Sequence, residues 1–141
     1  MLDSNTLLKK YPFLRPYSLY TGKVYEGNDY TWLDEIPKGW REKFGEQWAE
    51  EISQYISTLS KEEQENFRIL QLKEKFGIFT QYFSHRSESL TNIINKYEQL
   101  SKNTCCECGA PATYMSTGWI CPWCEQHAPE GSQLIINTME Q

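Results

Sequence analysis

Every cysteine of the 141-residue chain lies in its last third, in two closely spaced groups. Cys105-x-x-Cys108 and Cys121-x-x-Cys124 are separated by twelve residues. Each pair can close a tight turn whose backbone N–H groups point at the sulfur atoms, and Gly109 supplies the backbone freedom that such a turn needs. Four sulfur ligands, or sulfur with imidazole nitrogen, favour tetrahedral zinc. The spacing therefore predicts a zinc site.

Two other uses of paired cysteines are an iron–sulfur cluster and a redox dithiol. A thioredoxin-like dithiol requires a βαβ context, and the sequence around these cysteines lacks that pattern. Zinc is the stronger prediction.

The sequence offers five candidate ligands for a site that needs four. One set consists of Cys105, Cys108, Cys121 and Cys124. The other replaces Cys121 with His127, because Cys124-Glu125-Gln126-His127 also has the spacing of a ligand pair. Cys106 belongs to neither set, since its side chain follows a ligand directly and should point away from the metal. We expect it to be a small packed thiol.

The metal ligands are predicted to lie in a zinc ribbon or knuckle formed by residues 104–128. Between the cysteine pairs, 112–116 and 119–120 are expected to form two short strands that turn at Thr117-Gly118. Residues 129–141 are expected to form a tail that frays.

Residues 1–103 are predicted to form an α+β body in which two main helices pack on a β-hairpin. The first helix covers 38–58, where apolar residues recur every four positions on one face: Trp40, Phe44, Trp48, Ile52 and Ile56. The second covers 87–102, with a serine cap at Ser87 or Ser89 and a stripe made of Leu90, Ile93, Ile94, Tyr97 and Leu100. The hairpin pairs 67–75 with 78–83 around Phe76-Gly77.

The remaining segments of the body are shorter. Residues 3–10 predict a helix that ends before Pro12, and the tyrosine-rich segment 11–36 is expected to be irregular. Ser60 and Glu63 have the spacing of a capping box. A row of three glutamates beside the first helical stripe is either a solvated face or a surface for a basic partner: Glu42, Glu46 and Glu50.

Charge is distributed unevenly along the chain, whose net charge is −5. No Lys or Arg follows Lys102, whereas four glutamates do. Nucleic-acid binding depends on cations that neutralise phosphates, so the cysteine-rich end is a poor candidate for it. The alternative is a small basic patch formed by Lys73 and Lys75, which lie on one face of a predicted strand.

Catalytic signatures are missing from the sequence. There is no His-Glu-x-x-His, no His-x-Glu element, no phosphate-binding glycine loop and no nucleophile elbow. His85 is expected to be a solvated loop residue. Because four protein ligands close a zinc site, we expect a structural metal and no enzymatic activity. No apolar run is long enough for a membrane span, and the N-terminus lacks a signal-peptide pattern, so the expected location is the cytoplasm.

Protein binding is the function class that the composition favours. Aromatic residues make up 14% of the chain, which is generous for one modest core, and Trp and Tyr are enriched in interface cores. Trp119 and Trp123 are the predicted contact residues, together with the tyrosine-rich segment 11–30.

The chain also resembles a family of small uncharacterised proteins from bacteria and their phages, over about residues 38–128. The resemblance depends on these residues: 71–77 (QLKEKFG), Tyr82, Tyr97-Glu98, Ser101, 104–111 (TCCECGAP), Gly118-Trp119 and 124–127 (CEQH). It implies a KEKFG-type hairpin ahead of a zinc-ribbon-like segment, and it favours Cys124 and His127 as the second ligand pair.

The sequence departs from that family pattern at two places. Cys121 is additional, and Ile78-Phe79-Thr80-Gln81 replaces a more basic stretch. The setting that the resemblance implies leads to a hypothesis: a phage or mobile-element inhibitor or adaptor that acts on a host defence or nucleic-acid-handling protein.

Overall fold

The computed structural model describes residues 2–135 and shows a mixed helix-and-sheet protein, as predicted at that level. The helices are α1 (Ser4–Lys10), α2 (Lys38–Trp40), α3 (Glu46–Ser57), α4 (Lys61–Asn66) and α5 (Glu88–Lys102). The strands are β1 (Ile69–Lys75), β2 (Ile78–Phe83), β3 (Tyr114–Met115), β4 (Pro122–Trp123) and β5 (Gln133–Leu134). Within residues 2–135, no helix combines the length and apolar character needed to cross a membrane.

The predicted helix over 38–58 is a continuous run in which a π-helical turn, Arg41–Gly45, connects α2 to α3. Its apolar stripe forms the centre of the core. Trp40, Trp48 and Ile52 are fully buried, and Phe44 is nearly so, while Ile56 at the end of the stripe is only partly buried. Helical spacing therefore identified the buried face correctly.

The predicted hairpin is confirmed, and α5 packs beside its second strand. Phe76 and Gly77 both have positive φ angles, 53° and 79°, which suits the tight turn between two antiparallel strands. Three hydrogen bonds that involve side chains join the hairpin to the helices, the longest from Gln81 Nε2 to Ile94 O at 3.4 Å. Phe79 N donates to Ser101 Oγ at 2.9 Å, and Trp48 Nε1 donates to Gln81 Oε1 at 2.8 Å. Buried polar groups are thus paired across the core.

Helix caps agree with the sequence. Ser60 and Glu63 form the predicted capping box at the start of α4, and Ser87 Oγ accepts the Leu90 N–H at the start of α5. In the predicted glutamate row, Glu46 accepts a hydrogen bond from Leu2 N and Glu50 accepts one from Tyr11 OH. These two carboxylates hold the N-terminal segment against the helix.

The C-terminal part differs from the prediction in two places. The second strand lies at Pro122–Trp123 and pairs with Tyr114–Met115, whereas 119–120 belongs to the connecting loop. Ser116 closes this loop, because its Oγ accepts the Cys121 N–H and donates to Trp119 O. The tail is also partly ordered: β5 pairs with β3. The end of the predicted fraying tail, 136–141, lies outside the described residues.

The start of the long helical run packs directly on the first cysteine pair. Gly39 N donates to Cys106 O at 2.8 Å, and Trp40 Nε1 donates to Thr104 O at 2.9 Å. A Cβ atom at Gly39 would lie 2.2 Å from Cys105 O and 2.7 Å from Gly109 N. Because both of those atoms belong to backbone, no side-chain movement could relieve the clash. Glycine is therefore required at this position.

We expect Gly39→Ala to lower the free energy of unfolding by about 1–3 kcal/mol, the usual cost of overpacking a close contact. Gly45→Ala is the matched control, because it lies in the same helical run and its Cβ would meet Leu33 at an ordinary 3.5 Å. The control should be neutral or slightly stabilising, since alanine is the better helix former. Urea unfolding followed by tryptophan fluorescence measures both changes. Equal stability of Gly39→Ala and the unsubstituted protein would contradict the close packing.

Candidate metal centre

The structure brings together four of the five predicted ligands: Cys105, Cys108, Cys124 and His127. Their ligand atoms all lie within 4.8 Å of one another. Cys108 Sγ is 3.7 Å from Cys124 Sγ, and Cys124 Sγ is 3.1 Å from His127 Nδ1. This is the second of the two sets that the sequence left open.

Two tight turns present these ligands. The first follows α5, where Gly109 N donates to Cys105 O at 3.0 Å and Gly109 adopts a φ of 81°. The second follows β4, where the N–H groups of His127 and Ala128 donate to Cys124 O at 3.2 and 3.0 Å. Each turn therefore holds two ligands on one side of the backbone.

Backbone N–H groups surround the most buried sulfur. Burial tends to raise the pKa of the Cys105 thiol, but the N–H groups of Cys124, Cys108 and Glu107 outweigh it and hold that pKa below its usual value. This arrangement favours a thiolate at Cys105. Donors aimed at sulfur are what a metal-binding turn requires, because they stabilise the charge that remains on a coordinated thiolate.

The exposed sulfur of Cys108 has a different environment. The Ala110 N–H lowers its pKa, but desolvation and the neighbouring sulfur atoms of Cys124 and Cys105 outweigh that effect and raise it. Several thiolates this close repel one another unless a cation lies between them. Bound metal would remove that repulsion.

The separation between the Cys108 and Cys124 sulfur atoms fits a tetrahedral ion. Metal–sulfur bonds of about 2.3 Å in tetrahedral geometry separate neighbouring sulfur atoms by about 3.8 Å. The 3.7 Å between Cys108 Sγ and Cys124 Sγ agrees with this value. Three sulfurs and one imidazole nitrogen would complete the coordination with protein ligands alone, which is the arrangement of a structural site.

Cys121, the fifth predicted ligand, lies elsewhere. It is fully buried, and Cys106 is also buried. A hydrogen bond with Cys106, burial and the nearby Glu74 carboxylate raise the pKa of the Cys121 thiol. Pro122 and Trp123 lie between Cys121 and Cys124 and form a strand, so these two cysteines do not share a tight turn. Cys106 and Cys121 therefore both belong to the packed interior, although this was predicted for Cys106 only.

The two predicted contact tryptophans have different environments. Trp119 is 70% exposed, and its Nε1 donates to Glu74 Oε1 at 2.8 Å. Trp123 is half-buried, and its buried Nε1 has no hydrogen-bond partner among residues 2–135. Only Trp119 therefore offers most of its indole ring to solvent.

The predicted lysine patch lies on the exposed face of the hairpin. Lys73 and Lys75 are two residues apart in β1, so their side chains share one face of the strand. Lys73 Nζ lies 5.6 Å from the centre of the Tyr82 ring, within the range of a cation–π contact.

His85 also lies apart from the ligands. Its Nε2 is 2.7 Å from Tyr55 OH, which in turn is 2.6 Å from Ser87 Oγ, the cap of α5. The expectation of a simply solvated histidine was therefore incomplete. Neither this contact nor the packing of Gly39 on the first turn was found by sequence reasoning, because both join residues far apart in the chain. The one available signal was a glycine in the first turn of an amphipathic helix.

Comparisons of the chain with protein families, with curated proteins and with solved structures find no match.

We expect Cys108→Ser and His127→Ala to lose most of the bound metal, since each removes one of four ligands. Cys121→Ala should retain the metal, because its thiol lies outside the ligand group. Native mass spectrometry of the purified variants gives the metal content. Loss of metal from Cys121→Ala with retention by His127→Ala would instead favour the four-cysteine set.

Metal removal should destabilise the body as well as the cysteine-rich segment, because Trp40 and Gly39 bind the first turn. Free metal at about a thousandfold excess over its dissociation constant would stabilise the fold by about 4 kcal/mol, so its removal should lower the Tm by about 10 °C. Differential scanning fluorimetry with and without a chelator measures the shift. An unchanged Tm in a protein shown to have lost its metal would contradict this coupling.

Proposed function

We propose that the protein is a non-enzymatic protein-binding module whose fold is stabilised by one structural Zn²⁺ ion in a ribbon-like segment. Three thiolates and one imidazole are donors that suit zinc, and four protein ligands leave no coordination position for a substrate. The metal's contribution is then stability, and binding depends on the surface.

One observation carries the binding proposal: two large aromatic side chains are exposed where the hairpin turn meets the cysteine-rich segment. Phe76 is 68% exposed and Trp119 is 70% exposed. The neighbouring Gly77 packs against Pro122, Met115 and the Ile120 backbone. Both aromatics therefore extend from one supported junction. Trp and Phe are enriched among the central residues of protein interfaces.

Nucleic-acid binding is a second candidate, supported by the shared face of Lys73 and Lys75 beside Tyr82. Aromatic and basic side chains together can hold single-stranded nucleic acid. However, the chain has a net charge of −5 and no basic residue after Lys102. Few cations are then available to neutralise phosphates, and a protein partner is favoured. That this partner is a host defence or nucleic-acid-handling protein is supported by the sequence resemblance alone.

Affinity capture with the zinc-loaded, tagged protein, in nuclease-treated lysate of a bacterial host, should recover a specific protein. Trp119→Ala should abolish most of that recovery, because it removes a large exposed aromatic contact. Leu134→Ala, at a residue that is 65% exposed on β5, is the matched control and should leave recovery unchanged.

Two outcomes would contradict the proposed function. One is the absence of any specific protein while zinc is retained. The other is recovery that depends on nucleic acid and is lost at moderate salt, which would favour the second candidate.

A further inference from the structure

Three adjoining depressions lie along the N-terminal segment, the first against α3 and α4 and the other two against the start of β1. Their volumes are about 360, 190 and 550 Å³. The first two share Pro12, Phe13, Phe67 and Arg68 in their walls, and the second and third share Tyr17 and Trp32. We call the three together the β1 groove, because its lining includes Arg68, just before β1, and then Ile69, Leu70 and Gln71 along it.

Six aromatic side chains contribute to the walls of the β1 groove. The aromatic lining residues are Phe13, Tyr17, Tyr20, Trp32, Phe67 and Tyr82. Tyr20 is 100% exposed and the adjacent Leu19 is 59% exposed. Their loop is held by a bridge between Tyr17 and Val24 and by the hydrogen bonds of Arg15 to Tyr25 O and Gly27 O, each 2.8 Å. These apolar side chains are therefore displayed to solvent by a braced loop.

Two guanidinium groups line the smallest, central depression, and neither forms an ion pair with a carboxylate among residues 2–135. Arg15 donates three hydrogen bonds, all to neutral oxygens of Tyr25, Gly27 and Asn28. Arg68 donates two, to Glu65 O and Phe67 O, both from one nitrogen. Since a guanidinium has five N–H donors, both side chains keep donors for a further anionic acceptor.

The acidic residue in this lining is Glu35, in the largest depression. Burial, and after it hydrogen bonding to Glu35, raises the pKa of Tyr30 above its usual value. The charged residues that line the β1 groove are thus two arginines and one engaged glutamate, in a chain that is negative as a whole. The groove is a locally positive, aromatic channel.

We propose that the β1 groove binds an extended segment of a partner protein, in which an acidic side chain is flanked by aromatic or aliphatic ones. The acidic side chain pairs with Arg15 and Arg68, because charge-assisted hydrogen bonds to guanidinium are strong and directional. The apolar side chains on either side of it fill the two outer depressions, one lined by Tyr20 and Tyr82 and the other by Phe13. This inference rests on the proposed protein-binding function and names the chemistry of its partner.

A peptide fits this groove better than a nucleic acid does. A single-stranded nucleic acid of matching length carries one phosphate per nucleotide, and its affinity grows with the number of cations that neutralise them. Two arginines and one glutamate satisfy one isolated carboxylate, but not a regular row of phosphates.

In the test, the zinc-loaded full chain captures the peptides that bind it from a library of random twelve-residue peptides displayed on virus particles. Enriched peptides are then synthesised, and their affinities are measured by fluorescence anisotropy. We expect the enriched sequences to place Asp or Glu between aromatic or aliphatic residues. Arg68→Glu should weaken binding by at least about tenfold, the usual effect of losing a hydrogen bond to a charged group.

The matched control is Arg86→Glu, which makes the same change of charge at an exposed arginine outside the groove. It should leave the affinity within about twofold, because surface charges at a distance are screened by salt. Tyr20→Ala provides an independent variant: the residue is 100% exposed, so its replacement should not disturb folding, but it should weaken peptide binding several-fold.

Three results would overturn the groove assignment. The first is that no peptides are enriched. The second is that enriched peptides bind the Arg68→Glu and Tyr20→Ala variants as tightly as they bind the unsubstituted protein. The third is that a twelve-nucleotide oligo(dT) binds tightly and that Arg68→Glu abolishes this binding. The last would assign the groove to nucleic acid. Protein capture that requires Trp119 but is unaffected by Arg68→Glu would preserve the proposed function while overturning this inference, so the two can fail separately.

Discussion

The long helical run can begin against the first cysteine pair only because neither Gly39 nor Gly109 carries a side chain. Gly39 lies within hydrogen-bonding distance of Cys106 O, and a Cβ atom on Gly109 would lie 2.9 Å from Gly39 O. From this backbone-to-backbone contact, the next residue, Trp40, turns its ring into the core and its Nε1 toward Thr104 O. The aromatic packing of Trp40 with Phe44 and Phe79 follows from that position. The metal-binding turn therefore also supports the core of the body.

This arrangement couples the candidate metal site to the stability of the body. The four ligands come from two turns far apart in sequence, and one of those turns packs on the body. An ion that joins the turns would stabilise the small β3–β4–β5 sheet and the start of the helical run together. A segment this short buries little apolar surface of its own, so metal ligation can replace the core that it lacks.

The hairpin connects the two candidate binding surfaces. Its turn supports Phe76 next to the loop of Trp119, and the other end of β1 lines the β1 groove. One face of this two-stranded sheet is covered by helices through Leu72, Phe79 and Phe83, while Gln71, Lys75 and Tyr82 on the other face are exposed. A sheet with one open face between two exposed aromatic regions suits an extended partner, because the partner can contact both regions along one direction.

The sequence by itself determined the features that depend on neighbouring residues. Four local patterns were found where they were predicted: the ligand pairs Cys105/Cys108 and Cys124/His127, the four-residue stripe from Trp40 to Ile52, the serine caps and the Phe76-Gly77 turn. The second Cys-x-x-Cys spacing, Cys121/Cys124, did not form a ligand pair. Tertiary structure decided what depends on distant segments meeting. It moved β4 onto residues 122–123, and so placed Cys121 against Cys106 and left His127 with the other three ligands. It also brought Arg15 and Arg68 to one depression and exposed Trp119 rather than Trp123. Local spacing cannot specify these outcomes, because they depend on which surfaces pack together and on how much apolar area each arrangement removes from water.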